Sequence, residues 1–204
     1  MKRLYIIALL LLSCAAASAA GPGERPILRF GVEWGYGSGF FRYWNLNYMD
    51  PEVGYRVWDE DHEFAPSLNA YAQVEAGADL LPRFNLSFAG GVMGIAPGRQ
   101  VIPLMLKATF FFRDSSLDGP FIRACGGLGF PDFFSRPPIK FGSIGGGWRL
   151  ALDGLWDIDF TGSVRICSDS PPIVDENDIT ISESSIRRNT AIYCSFELGI
   201  AISF

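Results

Sequence analysis

The last segment of the chain carries the clearest pattern. From Ile192, alternate positions read Ile192, Cys194, Phe196, Leu198, Ile200, Ile202 and Phe204, while Tyr193, Ser195, Glu197, Gly199, Ala201 and Ser203 fill the other face. An apolar residue at every second position is the signature of a strand with two unlike faces. The same alternation recurs upstream. Trp156, Ile158, Phe160, Val164 and Ile166 oppose Asp157, Asp159, Thr161, Arg165 and Cys167; Leu104, Leu106, Ala108, Phe110 and Phe112 oppose Met105, Lys107, Thr109 and Arg113; Leu28, Phe30, Val32, Trp34 and Tyr36 oppose Arg29, Gly31, Glu33 and Gly35. Further segments begin near Leu68, Phe84, Ile122 and Ile144. The pattern predicts eight strands of roughly 9–14 residues. Membrane strands need about 9–11 residues to cross, and soluble strands average nearer 5–6.

The connections alternate as well. Long stretches are expected over 37–66 and 169–189, at one end of the strands. The two tightest turns, 81–83 and 153–155, fall at the other. Short turns on one side and long loops on the other are the asymmetry of outer-membrane barrels.

Composition supports strands. The 204 residues suit one domain, with 23 glycines, 14% aromatic and 19% charged residues. A net charge of -5 and the lack of a basic stripe argue against a nucleic-acid partner. At the N-terminus, Lys2 and Arg3 precede an apolar run from Leu4 to Leu12 and then small residues around Ala17-Ser18-Ala19. This is a signal-peptide pattern. The expected organisation is a signal peptide over 1–20 and a barrel over 21–204. Leu11-Leu12-Ser13-Cys14 also resembles a bacterial lipobox, which leaves two fates open for Cys14.

A secreted β-sandwich would alternate too, with the apolar face as its core. Three features favour a lipid-facing barrel. The polar face is rich in Gly, Ala and Ser, as a narrow filled lumen requires. Its charges nearly balance: Arg29, Lys107, Arg113, Arg123, Arg149 and Arg165 against Glu33, Glu75, Asp79, Asp157, Asp159 and Glu197. Enclosed charges have to be paired, and Arg165 with Glu197 is the specific pair expected. Finally, Phe30, Phe84, Phe112, Trp156 and Phe204 gather at the short-turn end, as an aromatic girdle would.

With its closing alternating strand and Phe204, the chain resembles small outer-membrane β-barrels of the OmpA/OmpX kind. The resemblance is one of pattern over the whole mature chain. It implies an all-β, eight-stranded antiparallel transmembrane barrel in the bacterial outer membrane, contacting outer-membrane lipids. It also implies that Phe204 is an assembly signal read by the barrel-assembly machinery.

Candidate chemistry is sparse. His62, the only histidine, lies in the acidic run 59–63. Lipid A deacylases are barrels of similar size that use a His/Ser pair, which here would be His62 with Ser67, but the flanking residues do not match. Asp59, Asp61 and Glu63, or Asp175, Glu176 and Asp178, offer carboxylates of the kind that bind Ca²⁺, without EF-hand spacing. Gly142 to Gly147 lacks the Lys-Ser/Thr of a phosphate loop, and reads better as a wall thinned to let neighbouring side chains into the lumen. Cys125, Cys167 and Cys194 are odd in number, and alternation puts Cys167 and Cys194 on opposite faces.

The expected site is therefore a lumen charge network of Glu33, Glu75, Lys107, Arg123, Arg149, Asp159, Arg165 and Glu197. Tyr43, Trp44, Tyr48, Tyr55 and Trp58 in the first long loop are expected either to form an external contact surface or to pack the loop on itself. No catalytic residue, cofactor or metal is assigned. The expected role is a non-enzymatic envelope protein, structural or presenting its loops for adhesion to an unnamed extracellular ligand. A lipid-modifying barrel enzyme and a soluble binder of small hydrophobic ligands are the other readings; the second predicts an apolar lumen, whereas the alternation predicts a polar one.

Overall fold

Residues that alternate apolar and small or polar build a sheet with one greasy and one polar side, and closing that sheet removes its edges. The computed structural model, which describes residues 28–50, 54–64, 66–131, 137–152, 156–173 and 180–204, shows this closure. Strands β1 (Leu28–Met49), β2 (Arg56–Glu63), β3 (Ser67–Leu81), β4 (Phe84–Ala96), β5 (Arg99–Phe111), β6 (Gly119–Phe130), β7 (Ile139–Leu152), β8 (Trp156–Asp169) and β9 (Ile186–Ser203) form one antiparallel sheet. β1 pairs with β9 and closes the ring. β2 pairs only with the outer half of β1, so the ring itself holds the other eight strands. The signal-peptide segment and Cys14 lie outside the described residues.

The apolar faces point outward. Leu198 and Phe88 are each 72% exposed, and Ile144, Leu104, Phe196, Ile166 and Trp148 join them in a belt around the barrel. Lys107 on the opposite face is 2% exposed. A soluble sandwich would place these two sets the other way round. An outer surface this apolar is matched to hydrocarbon, and a closed antiparallel ring satisfies every backbone group that hydrocarbon would leave unpaired. Trp156 and Phe204 stack at 5.1 Å, and Phe204 exchanges backbone hydrogen bonds with Phe30 across the closing seam.

Three expectations about the connections need correction. The stretch 37–66 is largely strand: β1 runs for 22 residues and turns back through β2. Phe40 is an inserted residue between the Gly39–Ser195 and Phe41–Cys194 pairs. This bulge resets the phase of β1 and lets pairing continue past the lipid belt. The loop after β8 is shorter than 169–189, because β9 starts at Ile186. Lastly, one of the tightest turns is Pro97-Gly98, at the same end as the long loops. Proline fixes its own φ and Gly98 takes a φ of +71°, a conformation that disfavours any side chain. At the opposite end, Pro82 and Arg83 form the β3–β4 turn.

Candidate functional site: the lumen and the external ribbon

Inward side chains fill the barrel in layers. At the end where β1 begins and β9 finishes, Arg29 Nε lies 2.7 Å from Asp79 Oδ2, and its Nη1 bonds Asp157. Arg149 forks onto Asp159 through Nε and Nη2, both at 2.7 Å, and lies 3.3 Å from Asp157. The guanidinium also sits over the Phe111 ring. The connection between β5 and β6 folds across this mouth. Its Ser115 is buried, accepts a bond from Arg149 Nη1 at its carbonyl and donates one to Asp79.

One layer up, Glu33 accepts from Lys107 Nζ at 2.7 Å, Arg123 Nη1 at 3.0 Å and Tyr71 Oη at 3.1 Å. Lys107 also reaches Glu75 at 2.8 Å. Arg123 Nη2 lies 3.6 Å from Asp159, which links the layers. Desolvated ions of this kind are tolerated when each is paired and hydrogen-bonded. Arg165 Nη1 lies 2.6 Å from Glu197 Oε1, the pair expected from neighbouring strands, and Arg165 Nη2 donates to the Gly94 carbonyl. Of the charges assigned to the lumen, Arg113 is misplaced: it is exposed in the connection after β5, because the inward alternation ends at Phe111.

Glycines create the room for these groups. A Cβ on Gly199 would stand 2.1 Å from the Tyr71 hydroxyl, and one on Gly147 would meet the Phe121 ring at 2.7 Å. The run 142–147 thus includes places where the wall gives way to side chains from neighbouring strands. The remaining space in the middle of the lumen is a cavity of about 40 Å³ between the Glu33–Lys107–Arg123 layer and the Arg165–Glu197 pair. That volume admits on the order of a few water molecules and no larger solute.

Beyond this level the lumen is apolar, which corrects the expectation of a polar interior throughout. Tyr71, Met93, Ile95, Val101, Met105, Ile139, Phe141 and Cys167 form one buried cluster, with Tyr193 packed against it. Alternation concealed it because Val101-Ile102-Pro103-Leu104 is apolar on both faces. Above it, Arg99 Nε lies 2.7 Å from Asp169 Oδ2. Asp169 falls at the start of the stretch expected to be a long loop, so the alternation gives no sign of this pair. Ile173 and Ile181 are buried and joined by a backbone hydrogen bond.

Past the barrel rim, β2, the outer half of β1 and the first part of β9 continue as a three-stranded ribbon. One face carries Trp44, whose Nε1 donates to Asp59, and Arg42, which pairs with Glu63 and lies 4.9 Å over the Trp44 ring. The other face carries Tyr43, whose hydroxyl donates to Glu60, together with Asn45, Asn47 and Trp58. Trp58 is 70% exposed and Tyr55 is also exposed, whereas Tyr43, Trp44 and Tyr48 are half-buried. The aromatic residues therefore divide between the two expected behaviours: some tie the ribbon together and two face solvent.

The remaining candidates stay apart. His62 lies near Asp61 and the Phe41 ring, while Ser67 Oγ accepts from Asn69. Among the described residues no cluster of His, Cys, Asp or Glu is arranged to hold a metal; Asp175, Glu176 and Asp178 lie outside them. Cys125, Cys167 and Cys194 are free thiols, with Cys167 buried in the lumen and opposite Tyr193 rather than Cys194.

The closed ring, outward apolar belt and packed lumen define a small membrane-spanning β-barrel. No protein-family model matches the chain, and no curated protein sequence matches it. Among solved structures, it is similar to Neisserial surface protein A (NspA), with 11% identity and a TM-score of 0.43, covering 86% of this chain and 97% of that one. It is similar to the outer membrane protein AlkL, solved in lipid bilayers, with 9% identity, a TM-score of 0.44 and coverage of 91% and 94%. The outer membrane protein OprG from Pseudomonas aeruginosa gives 9% identity, a TM-score of 0.43 and coverage of 86% and 95%.

Proposed function

We propose that this chain is a non-enzymatic outer-membrane barrel that acts through its external ribbon. The observation that carries this reading is the contrast between a lumen filled by ion pairs in one half and by a packed apolar cluster in the other, and a ribbon that extends beyond the belt with Tyr55 and Trp58 exposed. A barrel of eight strands has an interior just wide enough for side chains, so transport of solutes is not what the fold is shaped for. The mouth at which Phe30 and Phe204 pair faces the periplasm in this reading, and the ribbon faces outward. Lipids contact the belt, and Phe204 is the residue offered to the barrel-assembly machinery.

The test is to replace the ribbon hairpin between Leu46 and Glu60 with a short Gly/Asn turn. Vesicles carrying the intact barrel are then compared with vesicles carrying the shortened one for binding to epithelial monolayers. The expected result is loss of binding with the heat-dependent gel shift of a folded barrel preserved. Equal binding by both folded forms would refute the reading.

A second reading has one observation in its favour. The apolar cluster in the loop half of the lumen is the lining a small hydrophobic ligand would need. That cluster is packed, however, and the lumen cavity of about 40 Å³ has no room for such a ligand unless side chains move.

A further inference from the structure

We infer that the lipid-side face of the ribbon carries a binding site for an anionic saccharide, a sugar bearing phosphate or carboxylate. This inference rests on the ribbon being the recognition element and names the chemistry it recognises. A recess of about 390 Å³ on this face is lined by Asn45, Asn47, Trp58, Arg187 and Arg188. The register explains the convergence: Asn47 sits between Trp58 on β2 and Arg188 on β9, and Arg187 falls at the irregularity between the Asn47–Arg188 and Tyr48–Ile186 pairs.

Three features specify the ligand. Arg187 and Arg188 are both exposed, and among the described residues neither has an ion-pair partner. Two guanidinium groups side by side, with no carboxylate partner among the described residues, favour an anion that can accept forked hydrogen bonds. Asn45 is 4% exposed, its amide nitrogen donates to Tyr43, and its Oδ1 has no partner among the described residues. A buried acceptor left unmet costs about 1–3 kcal/mol, and a sugar hydroxyl is a donor that would meet it. Trp58, 70% exposed, offers a flat apolar face to a sugar ring. Among the described residues of β1 and β2, Glu60 is the carboxylate on this face, and it is engaged by the Tyr43 hydroxyl. Arg188 lies four positions beyond Ile192 on the same face of β9, about 14 Å along the strand.

The source of such a sugar is either a membrane glycolipid or a soluble saccharide, and the experiment separates them. The barrel is reconstituted in nanodiscs of phosphatidylcholine and titrated by calorimetry with a phosphorylated core oligosaccharide freed of lipid, and with neutral dextran fragments as control. A second set of nanodiscs contains the intact glycolipid, and its enrichment around the barrel is measured by crosslinking. The expected result is binding of the phosphorylated sugar and none of dextran, with a loss of at least about tenfold in the double variant Arg187→Ser/Arg188→Ser. Asn45→Leu and Trp58→Ala should weaken binding separately. Enrichment of the glycolipid without binding of the free oligosaccharide assigns the membrane source, and binding of the free form assigns the soluble one. Absence of both, or binding unchanged by the double arginine variant, overturns the inference. A heat-dependent gel shift measured on each variant shows whether the barrel is intact. Absence of sugar binding by a wild-type barrel that still shifts sinks this site alone, whereas loss of the shift in the wild-type chain sinks the barrel reading beneath it.

Discussion

The lumen and the ribbon use the same residue types to opposite ends. In the lumen, Lys107 sits between Glu33 and Glu75 at 2.7 and 2.8 Å and is almost fully buried. On the ribbon, Arg187 and Arg188 stand exposed without a partner among the described residues. A buried charge is bound to its partners by the cost of losing them. An exposed one contributes little to stability and is free to meet something else. Arginine and glutamate alone therefore say nothing about role; enclosure decides it.

That contrast breaks most sharply at Glu33. Glu33→Ala leaves Lys107 and Arg123 short of a buried carboxylate and is expected to destabilise the barrel by about 3–5 kcal/mol. Denaturant unfolding in lipid vesicles would show it; a change within half a kcal/mol would mean the network is not structural. The next effect is steric. A Cβ on Gly147 would fall 1.9 Å from the Phe160 carbonyl as well as against Phe121. Gly147→Ala should cost about 1–3 kcal/mol, read by the same unfolding curve, while the outward Gly142, whose Cβ would meet no atom nearer than 3.6 Å, should accept alanine with a much smaller change. Smallest of all, Arg188→Ser on the ribbon should shift stability by no more than about 0.5 kcal/mol. A larger loss there would make the ribbon arginines part of the barrel's scaffold and erase the contrast.

How far the sequence announced this arrangement depended on which face was tested. Where one face was apolar and the other charged, as in β9 from Phe196 to Phe204 or β8 from Trp156 to Arg165, alternation placed the residues on the sides the structure shows. It failed where the contrast between faces vanished. Phe40-Phe41 hid the bulge that carries β1 outward, and the acidic run 59–63 gives no alternation to mark it as strand because both ribbon faces meet water there. Ile95 and Val101 hid the apolar half of the lumen, since Gly94, Ala96 and Ile102 beside them are apolar or small as well. The Arg187–Arg188 recess was invisible for a different reason. It depends on the register of three strands distant in sequence, and no local pattern encodes that.

The claim that the barrel is closed and acts from outside is tested most directly by solute flux. Vesicles loaded with polysaccharide and carrying the purified barrel should swell in arabinose at the rate of protein-free vesicles, because the cavity in the middle of the packed lumen holds only about 40 Å³. Swelling well above that background, abolished by boiling the protein before reconstitution, would contradict the account and make the charge network and the apolar cluster parts of a gate.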